Sequence, residues 1–208
     1  MKKLFGALLI CLTLAFCFSA CKNGGAKHGA YEKIYGKYNS LTAFEAEAEI
    51  NVKSNLTSNT YAVKQYYLAP DNYKMEIVSP KNLSGTGYSF TDGRVNLKSA
   101  GGEVFSLEDY VPEDRSYVFL NDFFEGYYKS ESTACEASGG ARKNKSTVLK
   151  NVLSEGNPYR YSQCLWVNNE SLLPEKLVTY DMDNNEVITV IYKNFSADKK
   201  IDKSIFKK

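Results

Sequence analysis

Residues 44–53 read Phe-Glu-Ala-Glu-Ala-Glu-Ile-Asn-Val-Lys. Phe44, Ala46, Ala48, Ile50 and Val52 alternate with Glu45, Glu47, Glu49, Asn51 and Lys53. Successive side chains of a strand point to opposite faces, so this order marks a strand with one buried and one wet face. The run of glutamates reads as that wet face. A catalytic carboxylate pair would need a cleft to perturb it.

Similar patterns continue on both sides. Tyr61–Leu68 is a second, aromatic-rich strand, and Asn72–Val78 a third, entered through the turn Pro70-Asp71. Tyr88–Thr91 and Val95–Lys98 flank Asp92-Gly93, a hairpin signal because both central residues of such a turn need positive φ. From Pro112 to Lys129 the period becomes helical: Phe119, Phe123 and Tyr127 recur at i, i+4 and i+8, with Leu120 and Phe124 alongside and Asp114 as the expected cap. Residues 130–145, small and polar, read as a loop. Strands resume at Thr147–Leu153, Tyr159–Val167, Leu173–Tyr180 and Glu186–Phe195. A short helix is expected over 31–40, with Tyr31, Ile34, Tyr35 and Tyr38 on one face. About eight strands, mostly sequential neighbours, and two helices predict an α+β fold: a curved antiparallel β-sheet covered by helices.

The N-terminus carries Lys2 and Lys3, then an uncharged apolar run from Leu4 to Phe18. This is short of the roughly 20 residues that span a bilayer and has the build of a secretory signal. Its exit, Phe18-Ser19-Ala20-Cys21, resembles the bacterial lipobox, in which the cysteine receives acyl chains such as palmitate. The expected division is a signal peptide at 1–20, lipid attachment at Cys21, a Gly-rich flexible tether over 21–30, and one domain at 31–208. The location is then extracytoplasmic, anchored to the cell membrane.

The chain has 26 Lys+Arg against 24 Asp+Glu. Removing the signal takes two lysines, and no basic block remains that would suit a nucleic acid. Its single histidine, His28, falls in the expected tether. A Ser-His-Asp or Cys-His device, or a His-containing zinc site, needs a histidine in the folded body. The chain also lacks C-x-x-C, G-x-S-x-G and Walker motifs, and Gly85-Thr86-Gly87 does not continue into a dinucleotide fingerprint. Asp181-x-Asp183-x-Asn185 begins like a calcium loop, but Glu186 stands where glycine is needed and Tyr192 where glutamate is needed, so it reads as a turn. No cofactor, metal or catalytic residue is expected.

Once the signal leaves and Cys21 is acylated, Cys135 and Cys164 remain. The compartment permits a disulfide between them, while Cys164, in an apolar strand, would also serve as a small buried hydrophobe. The 16 tyrosines and 11 phenylalanines are the positive feature. Tyr66, Tyr67, Phe90, Phe119, Phe123, Phe124 and Tyr127 would either line an apolar groove between sheet and helix or form plain core.

The segment Leu68-Ala69-Pro70-Asp71-Asn72-Tyr73-Lys74-Met75-Glu76 resembles the P-x-x-Y-R-x-E strand of LolA/LolB-like lipoprotein carriers. Leu165–Val167 with Leu173–Leu177 resembles their hairpin, and Ile191–Phe195 with Ile201, Asp202 and Phe206 their closing strand and tail. The resemblance implies an incomplete barrel. Together with the lipobox, the C-terminal pattern is similar to the clostridial spore germination lipoproteins of the GerS type. It implies a non-enzymatic protein that binds and activates a zinc-dependent cell-wall N-acetylmuramoyl-L-alanine amidase, so that cortex peptidoglycan acquires muramic-δ-lactam. It also implies a strand-exchanged homodimer. The alternative that the resemblance leaves open is a carrier or receptor holding acyl chains in the groove.

Overall fold

The structure, a computed structural model, describes residues 25–108, 110, 115–138 and 145–207. Cys21, the signal segment, Pro112 and Asp114 lie outside the described residues.

Among the described residues, eleven strands form one antiparallel sheet: β1 Ala43–Lys53, β2 Ser58–Leu68, β3 Asn72–Ser79, β4 Gly87–Thr91, β5 Arg94–Lys98, β6 Val104–Glu108, β7 Thr133–Ser138, β8 Ser146–Asn157, β9 Arg160–Asn168, β10 Pro174–Tyr180 and β11 Glu186–Ala197. Their order is β6-β5-β4-β3-β2-β1-β11-β10-β9-β8-β7. The chain lays down one half outward from β1, returns through helices, and lays down the other half inward until β11 pairs with β1. The α-helices among the described residues are α1 Gly25–Tyr38, α2 Arg115–Val118 and α3 Leu120–Lys129. The fold is therefore α+β, an open curved antiparallel sheet covered by helices.

The alternation in β1 sets the register of the whole sheet. Phe44, Ala46, Ala48 and Ile50 are buried and face the helices together with Tyr67, Gln65 and Val63 of β2, their paired residues. The same inner face continues through Tyr73, Phe90 and Val95 on one side and Val190, Leu177, Leu165 and Leu149 on the other. On the outer face Glu45 pairs with Lys199, Glu47 with Lys64 and Glu49 with Lys193, so the glutamates are a solvated ionic ladder. Asp92 and Gly93 adopt φ of 52° and 76° and bring Thr91 opposite Arg94, as the hairpin signal requires. At the start of β4, a Cβ on Gly87 would lie 2.0 Å from the Met75 carbonyl oxygen, so this glycine answers to close strand approach.

Four expectations change. The stretch 112–129 is not one helix: Phe119 is extended, with φ −95° and ψ 134°. The break drives its fully buried ring between Phe44, Tyr73 and Tyr88. The polar run 130–145 contains a strand, β7, because an edge position asks for pairing on one side only, which β8 supplies. Strand β6 escaped the pattern reading because it is only five residues long; all five are exposed, although Phe105 and Leu107 share the inner face. Finally, the expected tether over 21–30 is helical from Gly25. Extending a helix beyond a packed nucleus costs little per residue, and Ile34 and Tyr38 supply that nucleus.

The carbonyl groups at the end of a helix lack partners within it. Here Gln65 Nε2 donates to the Val118 carbonyl at 3.0 Å and Gln163 Nε2 to the Ser116 carbonyl at 3.1 Å. Both glutamines are buried, one from each half of the sheet. Replacing Phe119 by alanine is expected to lower the unfolding free energy by about 3–5 kcal/mol, read as a lower urea midpoint.

Candidate docking surface and the seam beside it

Arg115, the first residue of α2, ties the helices to the β2–β3 turn. Its Nη1 donates to Asp71 Oδ1 at 3.0 Å, and its Nε forms an ion pair with Asp122 Oδ2 at 3.0 Å. The guanidinium lies over the Tyr73 ring, 4.3 Å from its centroid. Tyr73 Oη donates to Asp122 Oδ1 at 3.1 Å, and Asn121 Nδ2 donates both to Tyr73 Oη and to Asp122 Oδ1, each at 2.9 Å. Burial raises the Asp122 carboxyl to about 6, although Arg115 and the Tyr73 hydroxyl pull it down. Asp122 also lies in the first turn of α3, where the helix dipole favours its anion.

A perturbed carboxylate is a candidate for chemistry, but each partner of Asp122 here fastens helix to sheet. Among the described residues, no group of three or more His, Cys, Asp or Glu side chains is placed to hold a metal ion.

The resemblance motif acquires a physical role on both faces. Tyr73 points inward to this seam. Lys74 points outward, where its Nζ donates to the Ile205 carbonyl at 3.2 Å. Beside it, Ser89 Oγ donates to the Phe206 carbonyl at 2.7 Å, and Phe206 is fully buried. Adjacent residues of one strand thus hold the helices on one face and the C-terminal tail on the other. Neither role was legible in the sequence, because Asp122 and Ile205 are remote in the chain.

The expected aromatic groove is filled. Tyr67, Phe90, Phe119, Phe123, Phe124 and Tyr127 are all buried in one core cluster. Tyr38 stacks on Phe124 with centroids 4.5 Å apart, and Phe123 on Tyr127 at 5.8 Å. These rings pack against one another because the sheet curves onto the helices. Tyr66 belongs to the opposite face, since it neighbours the inward-facing Tyr67, and it sits near Glu45 and Lys64.

The disulfide expectation is also corrected: no bond joins Cys135 and Cys164. Cys135 pairs with Leu149, and Leu149 with Leu165, so Cys135 shares the inner face with Leu165. Cys164, the next residue along β9 from Leu165, faces outward beside Lys150. Two intervening strand spacings and opposite faces exceed the reach of a disulfide. The Asp181–Asn185 segment is a turn: Asp181 Oδ1 accepts from the backbone N–H groups of Asp183 and Asn185, and Oδ2 from the Asn185 side chain.

The two ends of the sheet differ. At β7, Glu136 pairs with Lys150 and the edge is polar. At β6 the inner face runs beyond the helices, leaving Leu97, Phe105 and Leu107 exposed at 37%, 57% and 42%. Phe105 lies opposite Leu97, and Leu107 opposite the buried Val95, so these side chains continue the core's own apolar layer into solvent. Among the described residues no strand pairs with the free side of β6. An apolar patch beside unpaired backbone N–H and C=O groups is a template for another chain.

The chain is thus an open antiparallel sheet curved over its own helices. It belongs to the sporulation protein YdcC-like family, whose model matches residues 1–206. Among solved structures, the chain is similar to the GerS lipoprotein in its complex with the CwlD amidase from Clostridioides difficile. The two share 25% identity and a TM-score of 0.50, over 87% of this chain and 99% of that one. It is also similar to an uncharacterized conserved protein from Thermus thermophilus, at 10% identity and a TM-score of 0.55 over 88% and 93% of the two chains. A third similarity is to the LolA superfamily protein NE2245 from Nitrosomonas europaea, at 12% identity and a TM-score of 0.44 over 88% and 97%. No curated protein matches the chain in sequence.

The raised Asp122 gives a pH signature. The folded chain holds that proton up to about pH 6, whereas the ordinary value is 3.8, so the folded state binds more protons in between. Stability from this group therefore falls as pH rises through that window, by on the order of 2–3 kcal/mol. Urea unfolding from pH 4 to 7 is expected to show this decline in the parent and a flatter profile in Asp122→Asn.

Proposed function

We propose that this chain is a lipid-anchored accessory protein that binds a cell-wall N-acetylmuramoyl-L-alanine amidase during sporulation. In this reading it raises the amidase's action on cortex peptidoglycan, so that muramic-δ-lactam forms and the spore can germinate. The observation that carries the reading is the likeness, over nearly the whole of both chains, to a lipoprotein solved in complex with an amidase. Membership of a sporulation family agrees with it. The chain acts by binding: its Arg–Asp–Tyr seam fastens helix to sheet, and the amidase brings the catalytic groups.

The surface we assign to the partner is the β6 edge with Leu97, Phe105 and Leu107. A protein interface needs an apolar centre that loses water on binding, and an unpaired strand offers main-chain hydrogen bonds as well. Acyl chains between sheet and helix would instead have to displace the packed rings of Phe119 and Phe123.

Mixing the protein with the sporulation amidase of the same organism is expected to give co-elution on size exclusion and faster peptidoglycan cleavage. Changing Phe105→Asp is expected to weaken the complex at least 10-fold, since truncating or charging a central aromatic anchor costs about 2 kcal/mol or more. Its thermal midpoint should stay near that of the parent, because Phe105 lies outside the core. Absence of any complex with the parent chain would overturn the reading. Cys21→Ser is expected to move the protein from the membrane fraction to the soluble fraction.

A further inference from the structure

Three hairpin tips meet at one end of the sheet. Leu56 lies between β1 and β2, Tyr159 between β8 and β9, and Met182 between β10 and β11. They are exposed at 93%, 74% and 58%. Two of the tips are joined, where the Met182 N–H donates to the Pro158 carbonyl at 3.0 Å, and Leu56, Tyr159 and Asp181 line an open hollow of about 550 Å³. A single exposed apolar side chain is ordinary, but Leu56, Tyr159 and Met182 stand on three neighbouring turn tips at one end of the sheet and form one rim. Of the acids at these tips, Asp181 is engaged by groups of its own turn, Glu186 pairs with Lys176, and Asp183 follows Met182 in the turn; Lys53 ends β1 near Leu56.

The path of α1 says which way this end faces. Near the helix C-terminus, Tyr38 Oη donates to the Leu172 carbonyl at 2.7 Å, in the β9–β10 turn at the opposite end of the sheet. Two turns earlier Tyr31 packs on Tyr127, whose hydroxyl donates to the Ala134 carbonyl. Ala134 pairs with Lys150, and Lys150 with Cys164, midway along β9. The helix therefore climbs toward the hairpin tips. Gly25 lies a further six residues up, about 9 Å of helix, and Cys21 precedes it by four residues.

We infer that the end of the sheet carrying Leu56, Tyr159 and Met182 rests on the lipid bilayer, with these three side chains in the membrane interface. The inference takes Cys21 as the anchor and so rests on the lipid-anchored reading above. A tether this short holds the tips within reach of the bilayer. Leucine and methionine can then enter the acyl boundary, while tyrosine keeps its hydroxyl at the headgroups. Lys53 can lay its stem on the apolar surface and turn its ammonium toward lipid phosphates. A lipid surface also suits tips that are spread apart better than a compact pocket ligand would.

The test uses the full, lipidated protein, reconstituted into phosphatidylcholine–phosphatidylglycerol vesicles with or without brominated acyl chains. Leu56→Trp, Tyr159→Trp, Met182→Trp and, at the opposite end, Glu170→Trp are each compared with the parent, whose one tryptophan is Trp166. Bromolipid quenching and a blue shift are expected for the three tip tryptophans and not for Glu170→Trp. Vesicle-bound protein without quenching at the tips, or with equal quenching at position 170, overturns the inference while leaving the anchor intact. Protein that fails to float with vesicles overturns the anchored reading itself, and the inference with it. Unquenched tips that become protected from acrylamide when the amidase is added assign them to the protein partner and likewise overturn it.

Discussion

The structure depends on the break at Phe119. A sheet that curves to bury one face must be filled from the concave side, and a single straight helix presents too little surface to fill it. By interrupting the helix, the chain turns one residue fully inward, and its ring meets Phe44 from β1, Tyr73 from β3 and Tyr88 from β4. The break would leave helical carbonyl groups buried without donors, and Gln65 and Gln163 answer that need from opposite halves of the sheet. These contacts, the β1–β11 ladder and the C-terminal tail held by Lys74 and Ser89 bolt the two halves together.

That arrangement governs what is left for function. Because the concave face is filled by the chain's own rings, the proposed docking surface lies on the perimeter. The perimeter is uneven: β7 ends in a polar, ion-paired edge, whereas β6 ends in exposed Leu97, Phe105 and Leu107. An apolar layer that runs past its cover would favour aggregation unless a partner covers it. Asp122 belongs to the seam beneath that cover. Its carboxyl is raised by burial beneath α3, and its contacts to Arg115, Tyr73 and Asn121 hold the helices against β3.

Much of the fold was legible in the sequence, and the residues show why. The strict alternation of 44–53 named β1 and its faces, and Asp92-Gly93 named its hairpin through the need for positive φ. The helical spacing of Phe119, Phe123 and Tyr127 found the covering element. The segments that escaped were those that are short or whose residues are small and polar. Strand β6 is only five residues long, and β7 is built of small and polar residues paired on one side. The break at Phe119 left the helical spacing intact in the sequence, since a residue can keep its place in the period while its backbone leaves the helix.

The sequence by itself determined the class of fold, the lack of a histidine in the sheet, and the abundance of aromatic core, because these follow from local periodicity and composition. Tertiary structure alone decided that the aromatics pack as core instead of lining a groove. It also decided that Cys135 and Cys164 face opposite ways, that Lys74 grips the tail, and that the apolar layer emerges at β6. Each of these depends on which face a residue shares with partners far along the chain. Sheet register and curvature set that, and no local pattern encodes it.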